Sequence, residues 1–64
     1  MKNRIRQERA ELAISQAELA ELVRVSRQTI ISLETGKYIP STELALKLSG
    51  VFGKTVNELF WLED

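Results

Sequence analysis

Apolar residues recur at helical spacing along nearly the whole chain. Ile5, Leu12 and Ile14 anchor the first stretch, and Leu19, Leu22 and Val23 fall on one side of the next. Ile30 and Leu33 are a single turn apart; Leu44, Leu48, Val51 and Phe52 form an i, i+4, i+7, i+8 stripe, echoed by Val56, Leu59 and Phe60. No stretch alternates apolar and polar residues long enough to predict a strand.

The residues between these stripes agree with short helices. Ser15 followed by Glu18, and Thr55 followed by Glu58, are capping boxes, in which each partner satisfies a backbone N–H at the helix start. Ser26 and Ser41 are further N-cap candidates. Gly36 and Gly53 can take the positive φ that closes a helix, and Pro40 blocks continuation of the third. The spacing predicts helices near 3–12, 16–23, 27–34, 42–52 and 56–61, with Trp61 to Asp64 expected to fray. Gly50, inside the fourth helix, is a weak point worth about 1 kcal/mol against alanine; close backbone packing and plain imperfection both account for it.

Composition narrows the chemistry. A chain of 64 residues is a single domain, 1–64, and with no Cys and no His it has no disulfide, thiol, zinc-finger or histidine-based chemistry. It also lacks a glycine-rich phosphate loop and a metal-ligand cluster, so no enzyme, cofactor or metal is expected. Glu18 and Glu21 share a helix face and read as a solvated surface. No apolar run reaches a membrane span, and MKNRIRQERAEL has no signal-peptide core; the expectation is a soluble, cytoplasmic domain acting by surface recognition.

The second and third helices are joined by about three residues, too few for an antiparallel pair, so they must cross at roughly 90–120°, the helix-turn-helix corner. Within 16–35, Ala20 permits close approach, Val25 plugs the gap, and Ile30 and Leu33 point inward, leaving Gln16, Glu18 and Glu21 outside. At about 100° per residue the opposite side of the third helix carries Arg27, Gln28, Ile31 and Ser32. Gln pairs with adenine, Arg with guanine or phosphate, and Ser with either, while Ile31 is either a stray exposed apolar residue or a contact for a thymine methyl. Arg27 sits in a first turn, where the helix dipole opposes a cation by about 0.3–1 kcal/mol unless an anion is near. Gln16 opens the second helix, where its N–H and side chain can hold a phosphate.

Nine basic residues balance nine acidic ones, against the usual basic excess of DNA binders. The distribution is uneven. Residues 1–9 set Lys2, Arg4, Arg6 and Arg9 against Glu8, net +3, and residues 24–41 set Arg24, Arg27 and Lys37 against Glu34, net +2. Lys37 and Tyr38, in the loop after the third helix, can both donate to phosphate.

Ser-Gln-Ala-Glu-Leu-Ala-Glu-Leu (15–22), Val-Ser-Arg-Gln-Thr-Ile (25–30) and Leu-Glu-Thr-Gly-Lys (33–37) closely resemble the Cro/phage-repressor helix-turn-helix family, the xenobiotic-response-element (XRE) class of small regulators. Pro40-Ser41, Leu44 to Leu48, Val51-Phe52-Gly53 and Leu59-Phe60 extend the resemblance over almost the whole chain. It implies an all-α, compact five-helix, lambda-repressor-like DNA-binding domain, usually a homodimer reading a (pseudo)palindromic double-stranded operator. Gln16, Arg27, Gln28, Ser32 and Lys37 match DNA-contacting positions; Thr29, Thr35 and Tyr38 match peripheral or phosphate-contacting ones. The family also pairs the equivalents of Arg9 and Glu34 as a structural ion pair. Ala13 and Arg24 stand where the family favours glycine with a left-handed backbone, at a cost of roughly 1 kcal/mol each.

Leu59, Phe60, Trp61 and Leu62 crowd four large apolar residues into the C-terminal segment, about 56–64. Either Leu59 and Phe60 finish the core and leave the other two exposed, or the four form a two-fold interface. The leading expectation is a homodimeric repressor or autoregulator with no evident small-molecule effector; the alternative is a protein-interaction module, such as an antitoxin, on the same fold.

Overall fold

The computed structural model describes residues 1–63. Its elements run β1 (Lys2–Asn3), α1 (Ile5–Glu11), α2 (Gln16–Val23), α3 (Arg27–Glu34), α4 (Thr42–Phe52), α5 (Val56–Leu59) and β2 (Phe60–Trp61). The molecule measures 31 × 22 × 20 Å along its principal axes.

Four helices begin as the sequence leads one to expect. The Ser15 and Thr55 hydroxyls accept from the N–H of Glu18 and Glu58, and each glutamate returns a carboxylate to the N–H of its cap at 2.8 Å. Ser26 and Ser41 accept from the N–H of Thr29 and Leu44. The helix ends share one closure. Ala13, Arg24, Gly36 and Gly53 all have positive φ, and the N–H of each following residue bonds a carbonyl five positions back. The left-handed backbone at Ala13 (φ 56°) and Arg24 (φ 59°) is therefore present without glycine.

The ends of the chain depart from the predicted helices. Asn3 leaves helical geometry: its Oδ1 accepts the N–H of Ile5, its Nδ2 donates to the Leu33 carbonyl at 2.8 Å, and helix α1 starts only at Ile5. Phe60 is extended (φ −130°, ψ 145°), ending α5 at Leu59 rather than 61. Strands β1 and β2 then pair antiparallel, Lys2 with Trp61 and Asn3 with Phe60, so Trp61 is held in a ladder where fraying was expected. Asp64 lies outside the described residues.

The core is one cluster. Ile5, Leu19, Ile30, Leu33, Leu48 and Leu59 are fully enclosed, with Val23, Ala20, Leu44, Ala45 and Phe60 around them. Ala20 is buried at the α2–α3 corner and Val25 packs half-buried against the cluster. Two expected anchors are not core. Leu22 is 60% exposed because Leu19, Ala20 and Val23 set the buried arc of α2, leaving Leu22 about 100° away. Leu12 is 49% exposed because it follows the last turn of α1, where the chain bends at Ala13. A Cβ at Gly50 would meet nothing within 4 Å, so this glycine serves no close approach and is a plain weakness in α4. Glu8 is buried beside Arg4 (3.4 Å) and Lys54 (3.9 Å), tying α1 to the α4–α5 turn.

Candidate nucleic-acid interface

Helices α2 and α3 pack on each other more extensively than any other pair of elements. That corner turns the second face of α3 outward. Arg27 and Gln28 are exposed in its first turn; Ile31 and Ser32, one turn on, are half-buried. Thr29 is half-buried and its hydroxyl is hydrogen-bonded to that of Ser26 at 3.0 Å, which makes it part of the cap. Thr35 is exposed, and its hydroxyl donates to the Ser32 carbonyl at 2.8 Å. Lys37 and Tyr38 are exposed in the loop that follows.

Beneath this face a buried carboxylate joins three helices. Glu34 on α3 receives two hydrogen bonds from the Arg9 guanidinium of α1, at 2.8 and 3.2 Å, and one from Gln16 Nε2 of α2, at 3.1 Å. The remaining Arg9 contact is to the Ile14 carbonyl at 3.0 Å. Burial alone would push the Glu34 carboxyl up, but the hydrogen bonds from Arg9 and Gln16, with the charges of Arg9 and Arg6, hold it below the usual carboxylate range. The same pairing raises Arg9 against the opposing effect of desolvation. Gln16 is thus half-buried and committed to Glu34 through one N–H, which leaves its other amide hydrogen and its carbonyl for a ligand.

The predicted site residues form two groups. Gln16, Arg27, Ile31 and Thr35 line one polar groove together with Arg9 and Glu34. Gln28 and Ser32 occupy the next row round α3, one turn apart, and Lys37 and Tyr38 extend the surface beyond its C-terminus. Three residues that the sequence had not placed in the site, Arg6, Ser15 and Ala17, also line the groove. The net +3 of the first nine residues was a signal for Arg6, but only the packing of α1 selects it from the other cations there.

The C-terminal residues divide as well. Leu59 (0% exposed) and Phe60 (7%) belong to the core, and the small exposed part of Phe60 contributes to the hollow that Trp61 and Leu62 border. Trp61 and Leu62 remain exposed and, with Pro40, Leu46 and Val56, line a shallow apolar hollow. Among the described residues, no cluster of acidic side chains could hold a metal ion, and no helix is long and apolar enough to cross a membrane.

The chain matches the helix-turn-helix family model over residues 5–59. It is 44% identical over 64 residues to the uncharacterized HTH-type transcriptional regulator YgzD of Bacillus subtilis, covering all of this chain and 97% of that protein. An uncharacterized HTH-type transcriptional regulator of Archaeoglobus fulgidus is 47% identical across the full chain and 91% of its own length. Another, from Methanocaldococcus jannaschii, is 45% identical over the full chain and 97% of its length.

Proposed function

Since the chain belongs to the helix-turn-helix family of DNA-binding transcriptional regulators, we propose that it is a homodimeric repressor or autoregulator that reads a palindromic operator through α3 in the major groove. The observation that carries this reading is the outward face of α3: Arg27 and Gln28 stand exposed in its first turn, above Ile31 and Ser32, on a helix held by the α2 corner and the Arg9–Glu34 pair. Gln28 offers a bidentate match to adenine and Arg27 to guanine or a phosphate. Ile31 suits a thymine methyl. Lys37 and Tyr38 donate to the backbone beyond the helix, which fixes the register without reading sequence. One subunit spans few base pairs, so two are paired through Trp61 and Leu62, presenting their reading helices about 34 Å apart to successive major grooves. Repression follows from occupying promoter DNA.

The test is fluorescence anisotropy on duplexes enriched from a random pool, at about 50–200 mM salt, for wild type and Gln28→Ala. An enriched palindrome should bind tightly, and the variant should lose about 1–3 kcal/mol of discrimination at one base pair per half-site. If no sequence enriches and binding stays weak at low salt, the reading fails. The apolar hollow and a protein partner then take its place, as the balanced net charge would suit.

A further inference from the structure

The groove between α1, α2 and α3 holds a cation that the reading helix does not need. Arg6 projects from the exposed side of α1 and lines one wall, while Arg27 lines the wall made by α3, with Ser15, Gln16 and Thr35 between them. Among the described residues Arg6 makes no hydrogen bond and no ion pair. The one acid in the groove, Glu34, already takes two hydrogen bonds from Arg9. Three arginines against one carboxylate leave this concavity with a charge of +2, in a chain whose net charge is zero. The Ser15 hydroxyl and the second Gln16 amide hydrogen are free to donate to an anion, whereas the Thr35 hydroxyl already donates to the Ser32 carbonyl.

We propose that Arg6 is a DNA-backbone residue: from α1 it closes on a phosphate seated in this groove opposite Arg27, adding an anchor outside the helix-turn-helix motif. This rests on the DNA-binding reading above. Because a phosphate contact carries no sequence information, Arg6 adds affinity and fixes the approach of the domain, and it leaves base preference to α3.

The experiment compares wild type, Arg6→Gln, Arg6→Lys and Gln28→Ala on the enriched duplex and on single-base variants of it, from about 50 to 200 mM salt. Arg6→Gln should flatten log K against log salt by about 0.9 per bound subunit and keep the ranking of the duplexes; Arg6→Lys should restore the slope. Gln28→Ala should do the reverse, changing the ranking with the slope intact. A duplex carrying a neutral methylphosphonate at the contacted position should then lose more affinity for wild type than for Arg6→Gln, which keeps only the Arg27 side of the contact. Thermal unfolding of Arg6→Gln should stay close to wild type, since no hydrogen bond is lost and the charge of Arg6 is the last and smallest of the influences holding Glu34 low. An unchanged slope in Arg6→Gln, with wild type binding specifically, overturns the Arg6 assignment and leaves the reading of α3 standing. A reordered duplex ranking in Arg6→Gln also overturns it, by making Arg6 a base reader. If wild type shows no salt-dependent binding to any duplex, the DNA-binding reading itself falls, and Arg6 with it.

Discussion

Arg24 shows how one residue can oppose the turn it occupies. Its φ of 59° is required because the N–H of Val25 must reach the Ala20 carbonyl (3.0 Å) to close α2. A side chain with a Cβ is strained there by roughly 1 kcal/mol, while glycine is not. Glu18 and Glu21 line the same concavity as Arg24 and attract it, but all three are exposed and such attraction is worth only a few tenths of a kcal/mol. Arg24→Gly should therefore raise Tm by about 4–8 °C for each kcal/mol recovered in a domain of this size. A Tm that falls in calorimetry would refute the strain account. Ala13, with φ 56°, carries the same liability at the end of α1.

At the level of elements, Glu34 decides whether α1, α2 and α3 hold one geometry. Its carboxylate is 6% exposed and takes three hydrogen bonds from two other helices. Folding keeps this group ionised to lower pH than the unfolded chain does. Its contribution is thus complete above the unfolded value of about 4.3 and is lost as pH falls through the lower folded value. Urea unfolding at stepped pH should show wild type weakening below about pH 4. Glu34→Gln should be less stable at neutral pH by about 1.5–3 kcal/mol, with a shallower acid limb. Glu58, also held low by its hydrogen bonds with Thr55, keeps part of the acid limb in that variant. Equal acid slopes in both proteins would show that Glu34 is not the linked group. The four helix starts were all legible from Ser15, Ser26, Ser41 and Thr55, because a cap is a contact between residues three apart in the chain. The ladder of Lys2–Asn3 with Phe60–Trp61 was not, since two-residue strands carry no period.

For the whole molecule, the apolar hollow is the feature that the fold leaves uncovered. Leu62 is 76% exposed, Leu46 61% and Trp61 43%, and all three border the same concavity, so a second copy would remove a contiguous apolar patch from water. Trp61→Ala should weaken dimerisation and operator affinity together. Leu62→Asp is the companion variant, because Leu62 lies outside the β1–β2 ladder and is 76% exposed, so its replacement should leave the fold intact. Sedimentation equilibrium measures both. A monomer–dimer constant that moves in neither variant would rule out this face as the interface.

Fold class, four of five helix starts and the chemical character of the outward face of α3 were determined by the sequence itself. Each depends on neighbours within a turn or two: Ser15 with Glu18, Ile30 with Leu33, Arg27 with Gln28 and Ile31. Tertiary structure decided which of several equivalent residues was used. It buried Leu59 and Phe60 and left Trp61 and Leu62 outside, exposed Leu12 and Leu22, and enclosed Glu8. It turned Gln16 toward Glu34 and brought Arg6, which makes no ion pair among the described residues, to the wall of the groove. Those choices follow from how α1 and β2 close against the α2–α3 corner, and residues far apart in the chain meet there only when the core has formed.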